Sequence, residues 1–229
     1  MKKKQTQTET RPVNDAQETK IITFLGAENG MYAYHTVKLL QAAKHDINVL
    51  VIDNSLTHDL FGMASGDVDI RTIGKAVVLR DREFTESVFK KFDCVIAYLG
   101  EIYDEDYIEF ASQIYFLCNY TPRMESILTR ANLPEDSRSN MIFVDKCSEK
   151  IKEEEFFSLV NKGTFEDKEK NVFVVNFDER NIAAYTEWIW GTDKLLKRMS
   201  SEYRNVISSV VARYFGESVK AVGKVAKNI

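Results

Sequence analysis

KIITFLGAENGMYAYHTVKLL (20–40) reads as a short apolar run, a turn holding two glycines, and an amphipathic stretch. IITFLG (21–26) has the length and the β-branched, aromatic content of a buried strand. The segment 30–44 is long enough for a helix, so the whole reads strand, glycine loop, helix. Six further runs resemble the first: INVLVID (47–53), AVVL (76–79), DCVIAYLG (93–100), QIYFLCN (113–119), NMIFVD (140–145) and NVFVVNF (171–177). They are nearly continuous rather than alternating, as strands buried on both faces are. Segments 83–91, 104–112, 122–132 and 147–161 leave room for helices between them. This alternation predicts an α/β fold, an open and mainly parallel sheet with helices on both faces. After Trp190-Gly191 no strand is expected, and residues 192–229 read as helical with a break at Phe215-Gly216.

The rest of the 229-residue chain bounds the reading. With 44% hydrophobic and 29% charged residues it can fill one sizeable core. The expected division is a disordered polar tail over 1–18, an α/β domain over 19–191, and a helical segment over 192–229 whose last part packs or stays free. Cys94, Cys118 and Cys147 are odd in number and lack CxxC spacing, so neither a disulfide framework nor a zinc site is expected. No run approaches the ~18 apolar residues of a spanning helix. MKKKQTQTET (1–10) has no apolar core behind its lysines and does not read as a secretory signal. A reduced, cytoplasmic location follows as the expectation, with a peripheral position at the inner face of a membrane as its extension.

Charge is unevenly placed. Residues 1–20 carry five Lys/Arg and three Asp/Glu, and residues 192–229 carry eight and three. With an overall charge of -4, the segment between them carries -11. An acidic body argues against a general nucleic-acid binder, whereas the basic end points to an anionic surface or an acidic partner.

The loop Gly26-Ala-Glu28-Asn29-Gly30-Met31-Tyr32 lies where open α/β sheets hold phosphates, between the first strand and its helix. A P-loop reads G-x-x-x-x-G-K-[ST], in which backbone N–H groups and the Lys cradle the phosphates and the hydroxyl holds magnesium. Here three residues separate the glycines, Met31 stands in the Lys position, Tyr32 in the hydroxyl position, and Glu28 adds a negative charge. Read alone, two glycines in a β–α turn are more often a tight turn than a ligand site.

Over roughly residues 20–190 the order of these segments resembles the MinD/ParA family of deviant Walker A ATPases, which have this type of sheet. INVLVID resembles the family's second strand, ending here in Asp53, and the family spacing back from Asp53 puts Gly30-Met31 on the Gly-Lys pair. FDCVIAYLG resembles the Walker B strand with Tyr98 in place of its Asp. QIYFLCNYTPRMESILTR is similar to the next strand, its Asn/Thr-rich turn and helix. NMIFVDK resembles the strand whose terminal Asn reads the base, with Asp145 in that place. VFVVNFDERNIAAY resembles the strand with the Pro-x-Asp turn, keeping Asp178 and having Asn176 for the proline. The signature second Lys is also missing, since Gly26 or Ala27 lies there. Phosphoryl transfer rests on positioning and positive charge. The resemblance therefore implies the fold without the activity: a pseudo-ATPase, TadZ/CpaE-like, acting as a scaffold, positioning or regulatory subunit in secretion or pilus assembly, conjugation or plasmid maintenance. The expected nucleotide site is the degenerate loop Gly26, Glu28, Asn29, Gly30, Met31 and Tyr32, with no cofactor or only weak ATP binding. Asp53 is either a relic of the water-activating region or a strand end that caps a helix. The alternatives are a switch ATPase with an unorthodox loop and a peripheral membrane protein. A homodimer independent of ATP is the expected self-association.

Ile207, Val210, Val211, Tyr214, Phe215, Val219, Val222, Val225 and Ile229 recur at helical spacing and make one apolar stripe. Arg213, Lys220, Lys224 and Lys227 lie off it. Arg213, Phe215, Val219, Lys220, Lys224 and Lys227 are the candidate surface for a membrane or partner, while packing on the sheet is the other reading. The acidic run Glu101, Asp104, Glu105, Asp106 and Glu109 reads as a helix start or as a site for a divalent ion or basic partner. His35 reads as packed, and Trp188 and Trp190 as cover for the sheet or a subunit contact.

Overall fold

All seven apolar runs are strands, and all of them lie in one sheet. The computed structural model describes residues 19–131, 133–134, 136–148, 150, 153, 171–190 and 196–229. The expected tail over 1–18, most of the helix expected over 147–161, and the boundary at 191–192 lie outside these described residues. In chain order the elements are β1 (Lys20–Gly26), α1 (Met31–Ala43), β2 (Val49–Asp53), α2 (Asp59–Met63), β3 (Ser65–Gly66), β4 (Arg71–Ile73) and β5 (Ala76–Arg80). Then come α3 (Glu86–Phe89), β6 (Cys94–Gly100), α4 (Glu105–Glu109), β7 (Gln113–Cys118), α5 (Pro122–Arg130), β8 (Ser139–Lys146) and β9 (Val172–Asn176). Three helices close the described chain: α6 (Glu179–Ile189), α7 (Ser201–Phe215) and α8 (Val219–Ala226).

The sheet order is β3-β4-β5-β2-β6-β1-β7-β8-β9. From β5 to β9 every pairing is parallel, and β3-β4-β5 add an antiparallel edge. Every residue of β2, β6 and β7, and of β1 from Ile21 on, is buried. Continuous burial of this kind requires cover on both faces. Helices α1, α7 and α8 pack on one another. A ring cluster of Phe84, Phe89, Tyr107 and Phe110 ties α3 to α4.

Four elements depart from the sequence reading. The edge strands β3 and β4 are two and three residues long and carry no apolar alternation of their own. Helix α2 is a five-residue turn. Helix α6 follows β9 where only a turn was expected, although Asp178 caps it and Ala184 and Trp188 are buried along it. The break after Phe215 is present, with Gly216 in the left-handed region at φ 70°.

Strand β1 lies between β6 and β7, and the chain leaves it to build β2 and β5 on one side before β7 and β8 on the other. The carboxyl end of β1 is therefore the reversal point of the sheet, where such folds place ligands.

Candidate functional site

Strand β1 ends at Gly26 with φ 106°, and the Ala27 N–H donates 2.8 Å to the Leu117 carbonyl at the end of β7. A side chain at Gly26 would collide with that carbonyl, so the strand passes into the loop only through a glycine. Gly30 caps α1, and Met31 and Tyr32 open the helix with their side chains inside the core, each 2% exposed. Neither side chain in the Lys and hydroxyl positions therefore faces solvent.

The loop's charges are answered within the chain. The Glu28 carboxylate accepts from the Glu101 N–H at 3.0 Å, the Thr57 hydroxyl at 2.9 Å, the Tyr98 hydroxyl at 3.3 Å and the Leu56 N–H at 3.4 Å. It thereby joins the loops that follow β1, β2 and β6. Gly100, at φ 54°, makes room for it, because a Cβ there would meet this carboxylate. Asp59, the first residue of α2, accepts from the Gly30 N–H at 3.1 Å and from its own Leu60 N–H at 2.8 Å. Burial pushes the Asp59 carboxyl up to about 6, with the Asp53 and Glu28 charges adding to the rise. An N–H at the start of α1, the group that would meet a phosphate, already holds an anion from the protein.

Asp53 is wholly buried and accepts from the Ser55 N–H at 3.1 Å, the Ser55 hydroxyl at 2.6 Å and the Phe61 N–H at 2.7 Å. Burial raises its carboxyl above the usual range, and those hydrogen bonds oppose the rise. It ends β2 and ties down the N-terminal turn of α2, the strand-end role. His58, left-handed at φ 46°, stands 3.8 Å from Asp53 through Nδ1 and 3.3 Å from Asp81 through Nε2.

Beside the loop lies a cleft of about 220 Å³ between the carboxyl ends of β7 and β8 and helices α6 and α7. Glu28, Asn29, Tyr32, Asp145, Tyr185 and Tyr203 are among its walls. Asp145 is left-handed at φ 55°, and burial raises its carboxyl. Tyr32 is buried, and its hydroxyl is raised by that burial and by the charge of Asp145. The Asn29 Oδ1 is buried without a hydrogen-bond partner.

The C-terminal candidates do not share one face. The Arg213 guanidinium turns inward, donating to Asn140 Oδ1 and, at 3.2 Å, to Asn171 Oδ1, with the Phe173 ring 5.7 Å away. Phe215 is half-buried against the core, and Val219 is exposed. Lys220 and Lys224 are exposed on α8 and Lys227 at its C-terminal cap, while Val222 and Ala226 are buried. The Lys197 N–H donates 2.7 Å to the Ile229 carbonyl, which holds the chain end against the body.

In the acidic run, Asp104 caps α4 by accepting from the Asp106 and Tyr107 N–H groups, and Glu101 pairs with Arg123. His35 is buried and bonded through Nδ1 to the Tyr203 hydroxyl at 3.0 Å. Trp188 is buried and Trp190 is 83% exposed. Sequence reasoning missed Asp59, which lies 29 residues from its loop partner Gly30, and no local signal marks it. It also missed that Tyr98 answers Glu28. Both depend on strand order.

No protein-family model and no curated protein matches the sequence. Solved structures do match the fold. A ParA family ATPase from Chlorobium tepidum TLS superposes with TM-score 0.53 at 13% identity, covering 91% of this chain and 97% of that one. MinD of Aquifex aeolicus, solved in a MinC:MinD cell division complex, gives 0.57 at 11% identity, over 87% and 97%. MinD of the same organism alone gives 0.54 at 10% identity, over 87% and 98%. At these identities the likeness is one of fold, and the chain has the MinD/ParA-like P-loop NTPase fold.

Proposed function

We propose that this chain is a catalytically degenerate MinD/ParA-like protein that serves a larger assembly as a scaffold, positioning or regulatory subunit. The observation that carries this reading is the pair of carboxylates, Glu28 and Asp59, seated at the loop where a nucleotide's phosphates would lie. A triphosphate entering there meets both charges, Asp53 close behind them, and no lysine from the loop. Like charges at this range cost several kcal/mol when partly desolvated. Partners made of protein fit the reading, since MinD of Aquifex aeolicus was solved with MinC. A secretion, pilus, conjugation or plasmid-maintenance machine is the class of assembly we favour, and a dimer formed without ATP is the expected self-association.

Calorimetric titration of the full chain with ATP and GTP in the presence of magnesium tests the reading. No saturable heat and no phosphate release are expected. Micromolar binding with hydrolysis, lost in Gly30→Trp, would establish an active switch instead. A peripheral membrane role is the second reading, favoured by the three exposed lysines on α8 and its C-terminal cap.

A further inference from the structure

The cleft beside the loop has the wrong charge for a nucleotide and the right one for a base. Two carboxylates, Glu28 and Asp145, line it, with no Lys or Arg among its described lining residues. Glu28 is spent on four donors, but Asp145, half-buried, has no hydrogen bond or ion pair among the described residues, and burial raises its carboxyl. Asn29 Oδ1 is a second acceptor without a donor. Tyr32, 2% exposed, is a third group of this kind, since no hydrogen bond to its hydroxyl is present among the described residues. A buried acceptor without a donor, as Asn29 Oδ1 is, is costly unless a ligand satisfies it.

These three oxygens come from different elements: the loop after β1, the start of α1 and the end of β8. A single ammonium is a point donor, whereas a guanidinium spreads five N–H donors over a plane. Tyr32 and Tyr203 pack on each other with ring centroids 4.7 Å apart, and the half-buried Tyr185 adds an aromatic surface to the wall, where a planar cation packs well. The volume of about 220 Å³ lies below the usual range of cofactor pockets and suits one alkyl-guanidinium. We propose that this cleft binds a guanidinium group, held by the Asp145 carboxylate, Asn29 Oδ1 and the Tyr32 hydroxyl oxygen. The group arrives either as a free small molecule or as an arginine side chain of a partner protein. This goes beyond the loss of nucleotide binding and does not depend on it.

The test is calorimetric titration of the full chain with agmatine, paralleled by amide chemical-shift mapping. Saturable binding is expected, weakened at least tenfold by Asp145→Asn, about 1.4 kcal/mol or more. Asparagine tolerates the left-handed backbone at 145, so this variant keeps the loop. Asn29→Leu serves as a second variant with the same expected loss, and Asp178→Asn, outside the cleft walls, leaves affinity unchanged. A Gly-Arg-Gly peptide distinguishes the sources: binding equal to agmatine assigns a partner's arginine, and exclusion assigns a free molecule. No saturable signal at about millimolar agmatine, or equal affinity in wild type, Asp145→Asn and Asn29→Leu, overturns the proposal. ATP with magnesium is titrated separately, so nucleotide binding bears on the proposed function and agmatine on this site alone.

Discussion

The Tyr98 hydroxyl donates 3.3 Å to the Glu28 carboxylate, joining the carboxyl end of β6 to the glycine loop after β1. The two side chains are complementary. The Tyr98 phenol brings no negative charge to the end of β6 and supplies a donor to the acid beside it. Tyr98 is fully buried, and burial pushes its hydroxyl well above the ordinary range, so it stays a donor.

Tyr98 is therefore not interchangeable with an acid. Tyr98→Phe should cost about 0.5–1.5 kcal/mol, since Glu28 keeps three other donors. Tyr98→Asp should cost about 4 kcal/mol or more, because it empties a buried ring's volume and sets a carboxylate beside Glu28, Asp59 and Asp53. Urea unfolding of both variants checks the order. Equal stability of Tyr98→Asp and wild type would show that the loop tolerates the acid.

Asp59 predicts a pH dependence of definite sign. Its folded-state carboxyl titrates near 6 because of burial, above its unfolded value near 3.8. The native state therefore holds a proton that the unfolded chain has released, and the contribution favours folding below about pH 4 and fades as pH rises to about 6. At pH 7 the ionised group costs about 1–3 kcal/mol. Asp59→Asn still accepts from the Gly30 N–H, so it should gain about that amount at pH 7 and flatten the profile between pH 4 and 6. Chemical unfolding across that range measures it.

Gly26→Ala should be among the most damaging small substitutions. It forces a side chain into the positive half of the φ map and against the Leu117 carbonyl that receives the Ala27 N–H. Strain and steric clash together give about 2–4 kcal/mol, read as a fall in midpoint on thermal or urea unfolding.

Arg213 and the α8 lysines should separate by readout. Arg213→Ala leaves Asn140 and Asn171 without their donor and should cost about 1–3 kcal/mol. The triple change Lys220→Gln, Lys224→Gln, Lys227→Gln should leave stability within about 0.5 kcal/mol. If α8 meets an anionic bilayer, that variant loses co-sedimentation with phosphatidylserine vesicles; equal pelleting with wild type removes the membrane reading.

The parts legible in advance were those governed by neighbours along the chain. Runs such as IITFLG and DCVIAYLG are strands because they are nearly continuous apolar stretches rich in β-branched and aromatic residues, and Ile21–Gly26 and Cys94–Gly100 are buried throughout. The hairpin β3–β4 was not legible, because its strands are two and three residues long and take their stability from pairing with β5. Helix α6 was legible in principle, since Asp178 caps it and the buried Asn181, Ala184 and Trp188 recur every three or four residues. The basic tail read as one amphipathic surface, but a helical repeat does not say how far a long side chain bends. Arg213 reaches inward to Asn140 while Lys220 does not.

What the sequence determined by itself was the strand–loop–helix grammar, the sheet it builds, and the absence of a lysine from the glycine loop. Those follow from local periodicity and residue type, which act over a few residues. Only the tertiary structure decided what fills the loop. Glu28 meets Tyr98 and Glu101, and Gly30 meets Asp59, because β1 is inserted between β6 and β7 and α2 folds back over the loop. Partners 29 to 73 residues apart are chosen by strand order. A buried carboxylate settles wherever that order brings enough donors together.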